Sequence, residues 1–161
     1  MIRDRIETPP DPRDLPGEFG HRVDVEVRFA DTDAMGHVNN AVYLTYCEMA
    51  RIRYWTDVTG EPVAAGHEGA ESLILAEARI TYRAPAFHTE TVTIETRATH
   101  IGRSSFTLEH RLTASAPGVS PRLIATSDSV MVRYDYRADR ATPLSDAFIA
   151  AIETFEGRSL R

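Results

Sequence analysis

Between Asp31 and Asn40 the chain crowds two carboxylates, a histidine and two amides into Asp31-Thr32-Asp33-Ala34-Met35-Gly36-His37-Val38-Asn39-Asn40, directly ahead of the apolar opening Ala41-Val42-Tyr43-Leu44. A core helix needs no such polar mouth, so the run reads as a site rather than a linker. Carboxylates and an imidazole this close can move protons or attack an electrophile. The first backbone N–H groups of a helix starting here are unpaired within it and lie at its positive end, where they can hold a developing oxyanion. Each residue also has a plainer reading. Asp31 can satisfy loop amides, and Gly36 can be an ordinary turn glycine. His37 can orient water, bond the aspartate or polarise a carbonyl, or it can be a structural capping residue. Of Asn39 and Asn40, one suits the helix cap and the other the site.

The elements that must position this run follow from periodicity. Val23, Val25, Val27 and Phe29 alternate with Asp24, Glu26 and Arg28, the pattern of a half-buried strand ending at the polar run. Residues 41–58 then read as a long helix, apolar almost all round, with charge confined to Glu48, Arg51, Arg53 and Asp57; burial on most sides is expected. Gly60 supplies its stop. Glu48 and Arg51 stand three residues apart, the spacing of an ion pair. Period-two runs recur over residues 74–82, 92–98 and 106–112, and a longer apolar run covers 123–134, with turns at 85–89 and Pro117-Gly118. Leu144, Phe148, Ile149, Ile152 and Phe155 have helical spacing and predict a short helix over 145–155. Consecutive strands without intervening helices favour an antiparallel sheet, so the fold class is α+β, with the sheet wrapped around the long helix. Residues 1–20, carrying Pro9, Pro10, Pro12 and Pro16, read as an N-terminal arm, and 21–161 as one domain.

Composition narrows the function. At 161 residues the chain can bury about two-thirds of its unfolded surface in one core. With 42% hydrophobic and 26% charged residues it reads as an ordinary globular protein, and no apolar stretch approaches the roughly 20 residues of a membrane span. The start, Met1-Ile2-Arg3-Asp4-Arg5, lacks the apolar segment of a signal peptide, and Cys47 is a lone cysteine; a cytoplasmic protein without membrane association is expected. A net charge of -6 argues against nucleic acid as a partner. All 18 basic residues are arginine, which suits phosphate recognition but is better read as compositional bias. No zinc-ligand spacing, phosphate loop or dinucleotide fingerprint is present, so neither metal nor cofactor is expected. The G-x-S-x-G elbow of α/β-hydrolases is absent as well. His110, on the apolar face of its strand, reads as a hydrogen-bonded core histidine.

The stretch Arg28-Phe29-Ala30-Asp31-Thr32-Asp33-Ala34-Met35-Gly36-His37-Val38-Asn39-Asn40, with Tyr43, Tyr46, Glu48, Ala50 and Arg51 downstream, resembles the signature of hotdog-fold acyl-CoA thioesterases of the 4-hydroxybenzoyl-CoA thioesterase type. The strand order fits that family over residues 22–136. The resemblance implies a hotdog fold, a five-stranded antiparallel sheet wrapped around a long central helix, with paired subunits forming sites at their interface. It carries the catalytic carboxylate to Asp33, as nucleophile or as general base for water, with Gly36, His37 and Asn40 as further catalytic candidates. Thioester cleavage suits the arrangement, because the thiolate leaves without strong protonation while charge builds on the carbonyl oxygen. Tyr43 and Tyr46 can line an acyl channel or belong to the core, and Tyr43 is taken as a substrate-binding candidate. Glu48 is a rival carboxylate, since a second branch of these enzymes uses an acid from the central helix. Ile101-Gly102-Arg103-Ser104-Ser105-Phe106 resembles the segment holding the pantetheine arm and phosphates of coenzyme A, which implies Arg103 as a phosphate partner and Ser104 and Ser105 as donors; its plain reading is a hairpin turn.

The expected function is hydrolysis of an acyl-CoA or acyl-carrier-protein thioester to free acid and thiol, by a homodimer or homotetramer with coenzyme A present only as part of the substrate. Two alternatives keep the fold: an enoyl-thioester hydratase or dehydratase, and a non-catalytic acyl-CoA or lipid-binding module.

Overall fold

The structure, a computed structural model, describes Leu15, residues 17–60 and residues 71–161. Most of the proline-rich arm and the loop over 61–70 lie outside the described residues.

The element order is β1 (His21–Glu26), a short 3₁₀ turn (Phe29–Asp31), α1 (Asn40–Thr59), β2 (Glu71–Tyr82), β3 (Thr91–Ile101), β4 (Ser105–Ser115), β5 (Arg122–Asp135), β6 (Arg140–Ala141) and α2 (Asp146–Glu156). Strands β1 to β5 form one antiparallel sheet in the order β1-β3-β4-β5-β2, with the two-residue β6 added beside β5. The expected five-stranded hotdog sheet is therefore present with a small sixth strand. Because α1 interrupts the chain between β1 and β2, those two strands end up at opposite edges.

Helix α1 is bounded by local chemistry. The Oδ1 of Asn39 accepts the Ala41 N–H at the start, and Gly60, at φ +72°, closes the end with its N–H donated to the Thr56 carbonyl. Tyr43, Tyr46, Cys47, Ala50, Arg51 and Tyr54 form its buried face. The expectation of burial on most sides is not met within one chain: Leu44, Met49 and Ile52 are exposed. The sheet covers α1 from one side only, so an apolar composition all round still leaves one face open.

Alternation holds best in the central strands. Val92, Ile94, Thr96 and Ala98 of β3 and Phe106, Leu108, His110, Leu112 and Ala114 of β4 are buried, facing α1 and α2. A bulge between Ala98 and His100 re-phases β3 and turns Ile101 inward. In the edge strand β2 a bulge falls between Leu75 and Glu77, and Leu75, Ala76 and Ala78 are exposed, so the regular apolar face read there is only partly buried. Phe29, expected to continue the inward face of β1, is 78% exposed because the strand ends at Glu26 and the chain enters the 3₁₀ turn. Two apolar clusters result. One packs the first half of α1 on Val92, Ile94, Leu112 and Ile124; the other joins Tyr54 and α2 to Leu108 and Met131.

Candidate active site

The polar run folds into a narrow loop closed by its own backbone. Asn39 donates to the Asp31 carbonyl (2.9 Å), Thr32 bridges Val38, and Asp33 donates to the His37 carbonyl (3.0 Å), with Gly36 donating back to the Asp33 carbonyl (2.9 Å). The tip requires a left-handed residue, and Gly36 supplies it at φ +81°. At the base the Val38 N–H reaches the Ala86 carbonyl (2.8 Å), and the Val27 N–H reaches that of Glu90 (2.9 Å), which anchors the loop to the turn before β3.

Asp31 and Asp33 have separate fates. Asp31 is 2% exposed and spends both oxygens internally: Oδ1 accepts from Arg28 Nη2 (2.7 Å), and Oδ2 accepts from the Arg28 backbone N–H (3.0 Å) and the Tyr46 hydroxyl (3.0 Å). The Arg28 guanidinium bond, aided by these others, holds the Asp31 carboxyl below its ordinary range against the opposing effect of burial. The Tyr46 phenol is pushed well above its usual range by burial and by this carboxylate neighbour. Asp33 sits at the loop tip with a side chain 26% exposed, and among the described residues only its Oδ1 is hydrogen-bonded, accepting from the Met35 N–H at 2.9 Å. Its Oδ2 accepts no hydrogen bond from the described residues. His37 Nδ1 stands 3.9 Å from Asp33 Oδ1 and 3.3 Å from its neighbour's carbonyl oxygen on Val38.

Asn39 is the helix cap and Asn40 the first helical residue, so the capping role falls to Asn39. The Asn40 carbonyl accepts the Tyr82 hydroxyl (2.8 Å). The loop that carries Asp33 runs directly into the start of α1, the helix's positive end, through the bond between the Asn39 N–H and the Asp31 carbonyl.

The other sequence candidates divide by location. Tyr43 is buried; its hydroxyl accepts from the Ala86 N–H (3.1 Å) and donates to the Ala84 carbonyl (3.5 Å), bracing the turn that carries the Asp33 loop. Arg103, Ser104 and Ser105 lie in the β3–β4 hairpin, where Gly102 donates to the Ser105 carbonyl and the carbonyls of Arg103 and Ser104 accept from Leu144 and Arg133. That hairpin follows Ile101, whereas the Asp33 loop attaches beside Thr91 at the far end of β3, roughly 30 Å away along an extended strand. One chain does not bring the two constellations together.

Glu48 is exposed and Arg51 buried, so the ion pair their spacing allows does not form; Arg51 Nη1 instead approaches Ser129 Oγ at 3.4 Å. His110 is fully buried and hydrogen-bonded through Nδ1 to Thr96 Oγ1 (3.0 Å), as read from its strand face. Burial, with the positive Arg51 nearby, pushes the His110 ring down to about 3. Among the described residues no three His, Cys, Asp or Glu side chains gather where a metal could sit. Sequence reasoning missed the Tyr46–Asp31–Arg28 clamp. No spacing rule links residues 31 and 46; only the packing of the loop on α1 does.

Comparisons with known proteins bear on the family and the fold. The thioesterase-like superfamily matches residues 27–152. A thioesterase from Thermus thermophilus, solved in complex with coenzyme A and zinc, is 36% identical over 88% of this chain and 98% of its own, with a TM-score of 0.75. Two more distant structures share the fold. The 1,4-dihydroxy-2-naphthoyl-CoA thioesterase from Synechocystis is 22% identical (82% of this chain, 94% of that one, TM-score 0.72). The 4-hydroxybenzoyl-CoA thioesterase from Pseudomonas sp. strain CBS-3 is 20% identical (81% and 96%, TM-score 0.71). The chain belongs to the thioesterase-like superfamily of hotdog-fold thioester hydrolases.

Proposed function

We propose that this protein hydrolyses an acyl-CoA thioester to the free acid and coenzyme A, with Asp33 as the working carboxylate. The observation that carries the reading is the division of labour in the loop: Asp31 is consumed by Arg28 and Tyr46, while Asp33, partly exposed at the tip, keeps one oxygen for the reaction. That oxygen either attacks the carbonyl carbon or takes a proton from the attacking water. As the C–S bond breaks, the electron pair leaves on the thiolate, and charge passing through the carbonyl oxygen is met by the Asn40 N–H at the positive end of α1, the Ala41 and Val42 N–H groups being taken by Asn39. Gly36 gives the loop its left-handed turn, and in this reading His37, 3.9 Å from Asp33 Oδ1, orients water or substrate. The coenzyme A complex of the 36% identical Thermus thermophilus protein supports coenzyme A as the thiol carrier, with acyl carrier protein as the other candidate donor.

The site is completed by a second copy of the chain. Among the described residues strand β2 pairs only with β5 and leaves its other edge open over 12 residues, and Leu44, Met49 and Ile52 of α1 are exposed as well. Two copies joined about a two-fold axis can bring the Arg103–Ser104–Ser105 hairpin of one to the Asp33 loop of the other, which a single chain does not do. A homodimer or a tetramer of such dimers follows, and a fully active monomer by light scattering would contradict it.

The decisive experiment is thiol release from a panel of short, medium, long and aromatic acyl-CoAs by wild type and Asp33→Asn. The substitution should cost about 10² to 10⁴ in turnover with the fold intact by circular dichroism. Undiminished hydrolysis removes Asp33 from the mechanism.

A further inference from the structure

The first turn of α1 accounts for its backbone donors one by one. The Asn39 N–H donates to the Asp31 carbonyl (2.9 Å), the Ala41 N–H to Asn39 Oδ1 (2.9 Å) and the Val42 N–H to the Asn39 carbonyl (2.9 Å). Between them, the Asn40 N–H meets no acceptor among the described residues. A free N–H stabilises an oxyanion best while its direction is fixed, because a preorganised dipole need not turn as charge develops.

That direction is set by the neighbouring backbone. The Asn39 N–H pins the chain before it, and the peptide unit after it is held at both ends, its N–H by Asn39 Oδ1 and its carbonyl, that of Asn40, by the Tyr82 hydroxyl at 2.8 Å. The other ties are drawn from residues 31–42, whereas Tyr82 ends β2, 42 residues along the chain, so its bond fastens the helix start to the sheet. Tyr82 also closes a series of rings: it stands edge-on to Tyr43 with centroids 5.3 Å apart, and Tyr43 is 6.5 Å from Tyr46. Each hydroxyl secures a different part of the site. Tyr46 holds Asp31, Tyr43 holds the turn at 84–86 from which Val38 hangs, and Tyr82 holds Asn40. Tyr82 is 44% exposed, so water can replace its hydrogen bond to the carbonyl and little stability depends on it. Water is not anchored to β2, however, and cannot replace the tether.

We propose that Tyr82 is a positioning residue for thioester cleavage: by tying the Asn40 carbonyl to the sheet, it fixes the direction of the Asn40 N–H. It acts through Asn40 rather than on the substrate. The tether is a property of the fold, and its effect on turnover rests on the function proposed above.

Full-length wild type is compared with Tyr82→Phe, which keeps the ring against Tyr43 and removes only the hydroxyl. By NMR relaxation, the backbone order parameter of the Asn40 amide should fall from about 0.85, the rigid range, toward about 0.6. In thiol release from the acyl-CoA panel, kcat should fall about 10-fold, part of the roughly 10² to 10³ that losing an oxyanion donor costs. KM should stay within about twofold, the pattern left by an interaction made in the transition state. Tyr82→p-aminophenylalanine restores a donor at the same end of the ring and should recover most of the kcat. An order parameter unchanged in Tyr82→Phe, or a kcat within about twofold of wild type, overturns the proposal, and so does a kcat loss that the amine does not recover. If wild type cleaves none of the panel, the proposed function fails while the order parameter still judges the tether.

Discussion

Replacing Tyr46 by Phe removes one hydroxyl and tests whether the Asp31 clamp holds the loop. The hydroxyl donates to Asp31 Oδ2 at 3.0 Å between two side chains that are both buried, so no water can take its place. A hydrogen bond to a charged group is worth about 1.5–3 kcal/mol. Oδ2 keeps the Arg28 backbone N–H, and the phenyl ring keeps its packing, so the expected loss is near the lower end, about 1.5–2 kcal/mol at pH 7. Urea unfolding of wild type and variant, compared at equal slope, measures it. The pH dependence gives a second reading. Hydrogen bonding to Arg28, ahead of the smaller contributions, sets the folded carboxyl of Asp31 below its unfolded value near 3.8. A depressed carboxyl stabilises the fold above the unfolded pKa and loses that contribution as pH falls through the folded one. The gap between Tyr46→Phe and wild type should therefore be full at pH 5–7 and shrink below about pH 4. A gap under about 0.5 kcal/mol at pH 7, the scale of a neutral surface change, or one unaltered at acid pH, would refute the clamp.

Three further outcomes follow from the same structure. His110, neutral in the fold with its ring pushed down to about 3, binds a proton only on unfolding across the range above that, so wild type should lose stability as pH falls from about 6.5 toward 3. His110→Leu should flatten that decline in thermal midpoints even though it lowers stability at pH 7; an unchanged slope would exclude His110 as its source. Gly36→Ala meets no atom within 4 Å, so its cost comes from φ +81° alone, about 1–2 kcal/mol. Gly36→Asn should be milder than Gly36→Val in both unfolding and turnover, and the reverse order would argue against a conformational role. Cys47, buried with its thiol pushed up to about 11 chiefly by burial, should stay unreactive toward a thiol reagent at pH 8 until denaturant is added; rapid native labelling would contradict its packing.

What could be read from the chain was whatever depends on neighbours in sequence. Period-two runs announced β3 and β4, because alternate side chains of a strand must face one core; the Asn39-Asn40 pair and Gly60 marked the ends of α1, because capping is settled within a few residues. The Asp33 loop was legible as a cluster for the same reason. Tertiary structure decided what depends on partners far away in the chain. Only packing showed that Asp31, already held by its near neighbour Arg28, also accepts from Tyr46, and that Tyr43 braces the turn at 84–86. Phe29 turned outward because β1 ended before its alternation did, and the bulges in β2 and β3 changed which residues face inward at a single step. Likewise, an apolar helix does not say how many of its sides one chain can cover, and α1 keeps Leu44, Met49 and Ile52 exposed. Arg51 is the clearest case: its spacing from Glu48 favours an ion pair, yet the helix turns one toward solvent and the other inward, leaving a buried charge whose partner no local rule could supply.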